Sequence, residues 1–151
     1  DKGGDKVSRR ILFLSNREPL EPTYGTVRTR CIPDKFLQHD AYAFEVVVNP
    51  TKRAVNGNLV PIKQREDIRT WFESRAASWG FMCLQTEVLE VNVQQFRKGE
   101  HHVTLEQAVL KGVMKVTQRD LFIKSFETGL GRGKAFGCGL LQIVPIQVSG
   151  N

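Results

Sequence analysis

The stretch VTLEQAVLKGVMKV, residues 103–116, fits two periods. Ala108, Leu110, Gly112, Met114 and Val116 recur at every second position, as along one face of a strand, whereas Leu105, Ala108, Val109, Gly112, Val113 and Val116 fit a helical stripe. The β-branched content decides for strand, as does Arg97-Lys98-Gly99-Glu100 just upstream, a polar tetrapeptide that reads as a hairpin tip. Phe81–Phe96, alternating through Leu89, Val91 and Val93, is then the other arm of the hairpin. Before it, Glu66–Trp79 sets Ile68, Trp71, Phe72, Ala76 and Trp79 on one stripe, predicting a single amphipathic helix with acids at its start and Gly80 as its stop. Ala41–Val48 is a β-rich run ended by Asn49-Pro50, because proline donates nothing to a ladder and restricts the residue before it. After the hairpin, Thr117 reads as an N-cap answered by Asp120, opening a helix through Leu121, Phe122, Ser125 and Phe126 that stops at Gly129; Leu140–Pro145 is the last strand. Strand, helix, strand, strand, helix, strand is the ferredoxin-like (RRM-like) βαββαβ order, an α+β domain spanning residues 41–148.

The first forty residues complete no domain of their own. Val7–Ser15 and Gly25–Cys31 read as two strands joined through Glu18-Pro19-Leu20-Glu21-Pro22, and a lone hairpin is marginal in water. Residues 1–38 are therefore expected to be the remainder of a preceding ferredoxin-like domain, incomplete in this chain, whose first strand and helix came before Asp1.

Composition narrows the class. A chain of 151 residues with 40% hydrophobic content can pack a core and is no disordered tail. Twenty-two Lys and Arg against sixteen Asp and Glu leave a net charge of +6, which favours an anionic partner, nucleic acid being the commonest. Cys31, Cys83 and Cys138 are odd in number and form no C-x-x-C pair, so they read as small, buried, reduced side chains and not as a disulfide framework or zinc site. No apolar run has the length of a membrane span and the start, Asp1–Lys6, is polar, so the expected location is cytoplasmic, with no membrane partner.

Gly129, Gly131, Gly133, Gly137 and Gly139 fall close together near the C-terminus, with Arg132 and Lys134 between them. Glycine permits positive φ and close approach to the main chain, and exposed N–H groups beside two cations suit a phosphate. The order differs from nucleotide-binding loops, where glycines follow a strand and open a helix; here a helix ends at Gly129 and a strand follows. The other reading is a C-cap glycine and a flexible turn. Lys52, Arg53, Lys63 and Arg65 lie in an acid-free stretch around a flexible Asn56-Gly57-Asn58 segment, which reads either as a phosphate-binding or as a solvated loop. Arg97 and Lys98 at the hairpin tip would join Arg132 and Lys134 if the sheet brings them together. Trp71, Phe72 and Trp79 read as core. His101 and His102 are adjacent, so on a strand they face opposite ways; His39 is read as a loop residue and Tyr24 as a turn residue. No metal-ligand set, no cofactor motif and no catalytic residue is assigned within the chain.

Three stretches carry a family resemblance: Asn49-Pro50-Thr51-Lys52, Val60-Pro61-Ile62-Lys63, and Gly129 to Leu141 with its closing Gly137-Cys138-Gly139-Leu140-Leu141. From about Val7 to Ile146 the chain resembles the CasE-type CRISPR precursor-RNA endoribonucleases, processing subunits of the Cascade complex. The resemblance implies two ferredoxin-like domains in tandem, recognition of the repeat RNA stem-loop, metal-independent cleavage on the 3′ side of the stem, and retention of the mature guide RNA together with the other Cascade subunits. It also implies a catalytic histidine on the first helix of the first domain, a helix expected to precede Asp1. From the basic clusters and the glycine loop, the expected RNA contacts are Lys52, Arg53, Lys63, Arg65, Arg97, Lys98, Arg132, Lys134, Gly131, Gly133, Gly137 and Gly139. Two other readings stay open: an RNA-hairpin-binding module that does not cut, and a ferredoxin-like small-molecule or protein-interaction domain with an incidental basic surface.

Overall fold

Alternation along β1 (Ala41–Val48) sets the two faces of the sheet: Tyr42, Phe44, Val46 and Val48 are buried while Glu45 is exposed. A computed structural model describes residues 10–148, apart from the side chains of Lys98 and His101. After β1 come a small hairpin of β2 (Thr51–Arg53) and β3 (Leu59–Pro61), then α1 (Arg65–Ala76), the long hairpin β4 (Phe81–Lys98) and β5 (His101–Val116), α2 (Arg119–Thr128) and β6 (Gln142–Pro145). The main sheet has the order β4-β5-β1-β6 with every neighbouring pair antiparallel, which is the ferredoxin-like arrangement. Residues 103–116 are strand, as their alternation predicts.

Both helices pack on the face that carries Tyr42 and Phe44. Tyr42 stacks on Phe122 of α2 at 5.2 Å and Phe44 on Phe72 of α1 at 5.5 Å. Each such ring contributes roughly 1.5–3 kcal/mol through burial and the stacked pair about 0.5–1.5 kcal/mol more. On α1, Ile68, Phe72 and Ala76 are buried as the stripe predicts, while Trp71 and Trp79 are only half-buried.

Three boundaries differ from the sequence reading. The α-helix stops at Ala76 and tightens into a 3₁₀ turn, Ala77–Trp79, before Gly80 ends it at φ +86. Thr117 is not a cap. The N–H groups of Thr117 and Gln118 both go to the Gly80 carbonyl, at 2.9 and 3.0 Å, and α2 starts at Arg119 with no side-chain cap. The last strand begins at Gln142, because Leu140 and the buried Leu141 still belong to the exit of the glycine loop.

The chain divides into two compact units, Asp1–Cys31 and Ile32–Asn151. The expectation of two strands in the first unit is not met among the described residues: residues 10–33 form no strand, and Val7–Arg9 lie outside the description. A strand needs a partner ladder, and Ile11, Leu12 and Phe13 are exposed, with nothing in their own unit burying them. Cys31 is exposed too, against the expectation of three buried cysteines, whereas Cys138 is buried and Cys83 half-buried. Within the second unit, the 3₁₀ turn Asp34–Gln38 is tied to β1 and α2. The Tyr42 hydroxyl donates to the Phe36 carbonyl at 2.7 Å and accepts from the His39 N–H at 3.1 Å, and Arg119 donates to the Leu37 carbonyl at 2.8 Å and to Asp40 at 3.1 Å. Among the described residues no helix is long and apolar enough to cross a membrane.

β1 pairs with β5 only from Lys115 to Ala108, so residues 92–98 and 101–107 run on as a two-stranded arm. At about 3.4 Å per residue the arm reaches roughly 20 Å past the sheet. It ends at Gly99, φ +63, with Arg97 paired to His102 at its tip.

Candidate nucleic-acid interface

The glycine loop leaves α2 and returns to the sheet through a closed neck. Leu130 N–H donates to the Gly139 carbonyl at 2.8 Å, and Gly139 N–H to the Val47 carbonyl at 2.6 Å, so the neck is tied to the end of β1. Between them lies a 3₁₀ turn, Lys134–Phe136, with left-handed glycines at both ends, Gly133 at φ +77 and Gly137 at φ +84. The Gly133 carbonyl accepts from Phe136 N–H at 2.9 Å and Cys138 N–H at 3.2 Å. Those bonds consume part of the donor set that the sequence reading assigned to an anion: the N–H groups of Leu130, Phe136, Gly137, Cys138 and Gly139 point inward. Among the described residues, the N–H groups of Gly131, Arg132, Gly133, Lys134 and Ala135 have no such acceptor. Consecutive free amides with a left-handed residue among them make an anion-binding concavity.

Two residues that the sequence reading did not single out as site residues support this turn. Asn49, from the Asn49-Pro50 stop, has its Nδ2 3.3 Å from where a Gly133 β-carbon would stand, so a larger residue there would crowd it. Trp71 of α1 lies beneath Gly131, at 3.9 Å by the same measure, with the Arg75 guanidinium 5.1 Å from its ring centre. Arg132 and Lys134 are exposed beside the free amides, and Gly139 is buried, so its place is in the neck.

The arm touches the turn. Strand alternation puts Phe96, Val103, Leu105 and Gln107 on one face, and Phe96 meets Phe136 with ring centres 5.2 Å apart. Gln107 Nε2 donates to the Phe136 carbonyl and to Cys138 Sγ, each at 3.4 Å; this bond and burial act in opposite directions on the Cys138 thiol, and burial wins, raising its pKa. The turn and the arm are thus brought together, but through Phe96. Arg97 and His102 fall on the opposite face, the one that carries Glu106. Lys98 is at the tip by register, its side chain outside the description.

The basic stretch after β1 is not the flexible loop that its Asn56-Gly57-Asn58 segment suggests. Ala54 N–H bonds to the Asn58 carbonyl at 2.8 Å, Gly57 N–H to the Ala54 carbonyl at 2.9 Å, and Ile62 N–H to the Pro50 carbonyl at 3.0 Å, fixing a tight hairpin. Two of its four cations have structural partners. Arg53 donates to the Gly57 carbonyl at 3.0 Å, and Arg65 donates to the carbonyls of Val88 and Leu89, where β4 bulges at the sheet edge. Lys52 and Lys63 are exposed. His39 is exposed, with its ring edge-on to Tyr42; His102 is exposed; Tyr24 is 91% exposed. Among the described residues no cluster of His, Cys, Asp and Glu is arranged to hold a metal ion.

Glu106 is 4% exposed on the arm, and its Oε2 has no hydrogen-bond partner among the described residues. Burial pushes its carboxyl pKa above the ordinary value, and the nearby Lys63 charge only partly offsets this. A raised folded-state value means that the folded protein holds the proton more tightly, so the contribution is fully present below the unfolded value and is lost as pH rises through the folded one. Glu106→Gln should therefore gain on the wild type as pH rises from the ordinary carboxylate range toward neutrality, as read by urea unfolding. A gap that is constant or widens toward acid would show that the carboxylate is not strained there.

Comparison with known proteins agrees with this architecture. The sequence model of the family described as CRISPR associated protein matches residues 2–145. The CRISPR-associated endoribonuclease Cse3 of Thermus thermophilus is 29% identical over 169 residues, covering 90% of this chain and 80% of that protein. The solved Thermus thermophilus Cse3 bound to an RNA representing a pre-cleavage complex superposes with a TM-score of 0.65 at 24% identity, over 71% of this chain and 54% of that one. Cas6e from Escherichia coli K-12 gives a TM-score of 0.65 at 18% identity, over 87% and 75%. This chain therefore spans about half the length of the RNA-bound structure and most of the curated relative. With the family match running from the first unit through β6, the chain belongs to the CRISPR-associated protein family.

Proposed function

We propose that the protein binds the stem-loop of CRISPR repeat RNA and cleaves it without a metal ion, as a processing subunit that keeps the guide RNA within Cascade. The observation that carries this reading is the glycine turn: free consecutive amides, Arg132 and Lys134 at the surface, and the arm packed against it through Phe96. An RNA stem offers phosphates and 2′-hydroxyls more readily than base edges, and the free amides and exposed cations of this surface match them. Lys52, Lys63, Arg97, Lys98, Arg132 and Lys134 supply the charge, and Gly131, Gly133 and Gly137 shape the amides. Arg53, Arg65 and Gly139 act by holding the basic hairpin, the β4 edge and the loop neck in place. The kinship with Cse3 supports the activity, and the chemistry is attack of the ribose 2′-hydroxyl on the adjacent phosphorus. The 2′-oxygen-to-phosphorus bond forms, the bond to the 5′-oxygen breaks, the 2′-hydroxyl proton goes to a base and an acid protonates the leaving 5′-oxygen. The cations stabilise the phosphorane charge.

Binding without cleavage is the second reading, favoured by the absence of a carboxylate or basic partner for the exposed His39 and His102 among the described residues. Salt titration tests what the two readings share. Affinity for hairpin RNA should fall steeply with salt, and Arg132→Ala with Lys134→Ala should weaken all hairpins about tenfold while lowering the slope of log K against log salt by about one to two. Affinity indifferent to salt and to the double substitution would end the phosphate reading and leave the small-molecule or protein-interaction alternative.

A further inference from the structure

We infer that Phe96, Phe136 and Gln107 form a clasp that positions the arm against the glycine turn, so that both grip the same RNA. The inference rests on the RNA reading above and goes beyond it by assigning work to three residues that carry no charge. Phe136 sits in the exposed turn at 41% exposure, where an aromatic ring gains little from the core, and its ring meets Phe96 across the arm at 5.2 Å. Gln107 adds a polar tie from the same face of the arm to the Phe136 carbonyl and the Cys138 sulfur. Without the clasp the outer parts of the arm and the turn are held only locally. A two-stranded arm lacking further strand neighbours is marginal in water, and the N–H groups of Gly131 to Ala135 take no backbone acceptor among the described residues. Cations on two independently moving pieces must be ordered as RNA binds; a preformed contact removes that cost and lets one piece present its partner at high effective concentration.

Phe96→Ala and Phe136→Ala, each measured against a repeat hairpin RNA, should weaken binding about tenfold while the melting temperature falls by only a few degrees. The double variant should bind no more weakly than either single one, because both break one contact. Phe136→Tyr should stay within about twofold of the wild type, and Gln107→Ala, which removes only the polar tie, should lose about threefold. Arg97→Ala should cost less in the Phe136→Ala background than in the wild type, because an unclasped arm no longer delivers Arg97 to the RNA. Multiplicative losses near a hundredfold in the double variant would mean separate RNA contacts and overturn the clasp. Wild-type affinity in a folded Phe136→Ala variant would overturn it too. Failure of the wild-type protein to bind any hairpin RNA would instead overturn the RNA reading, and the clasp with it.

Discussion

Gly139→Val should leave little folded protein at ambient temperature. Gly139 is at φ +89, and a β-carbon on it would stand 2.4 Å from the Leu130 carbonyl oxygen and 2.9 Å from the Leu130 nitrogen. Those are backbone atoms of the loop neck, where the Leu130 N–H bonds the Gly139 carbonyl and the Gly139 N–H bonds Val47 of β1, so making room breaks those hydrogen bonds. A left-handed side chain costs about 1–2 kcal/mol and forced overpacking about 1–3 kcal/mol, which together approach the whole stability of a small domain. Gly137 is the control within the same loop. It has φ +84 but nothing within 4 Å of the would-be β-carbon, so Gly137→Val should lose only the conformational part, about 1–2 kcal/mol, and remain folded. Urea unfolding of both variants measures the difference. Equal losses would mean that the neck relaxes around a side chain and that its tight closure is not what fixes the turn.

That contrast marks how far the sequence can be read. Positive φ at Gly129, Gly131, Gly133, Gly137 and Gly139 is foreseeable, because no other residue adopts it cheaply and the cluster has little other use. Which glycine is closed in by backbone and which faces open space depends on Leu130 and Val47, and no spacing within the loop encodes that. The same holds for charge. The acid-free run Lys52 to Arg65 shows its cations, but the carbonyls that engage Arg53 and Arg65 appear only once the hairpin and the β4 bulge exist. Strands were legible where one face is buried, at 41–48 and 103–116, because burial imposes the alternation. They were not legible at 10–15 and 25–31, where, among the described residues, β-prone composition stands without a ladder to join. The start of the second helix went astray because the Gly80 carbonyl takes the N–H groups of Thr117 and Gln118 and the helix begins at Arg119, so Thr117 is not at the cap position. The pairing of Phe96 with Phe136 joins residues far apart in sequence and leaves no periodic trace.

A single 2′-deoxy substitution at the cut site should abolish cleavage of repeat RNA by the protein. If the neighbouring 2′-hydroxyl is the nucleophile, removing it leaves no atom to attack phosphorus, and the loss should exceed about a thousandfold. Binding should hardly change, because the grip falls on phosphates along the stem, and the deoxy RNA should act as a competitor with about the affinity of the natural one. The 5′ fragment should carry a 2′,3′-cyclic phosphate and the other a free 5′-hydroxyl. Excess EDTA should alter the rate by less than about twofold, since the phosphorane charge is assigned to protein cations and amides. His39→Ala and His102→Ala should cut at wild-type rates, because both side chains are exposed and neither is held by a carboxylate among the described residues. Cleavage of the deoxy RNA would replace the 2′-hydroxyl with water as nucleophile, and arrest by EDTA would require a metal in the mechanism. A large loss in either histidine variant, with RNA affinity unchanged, would move the proton transfer onto this chain's own C-terminal unit.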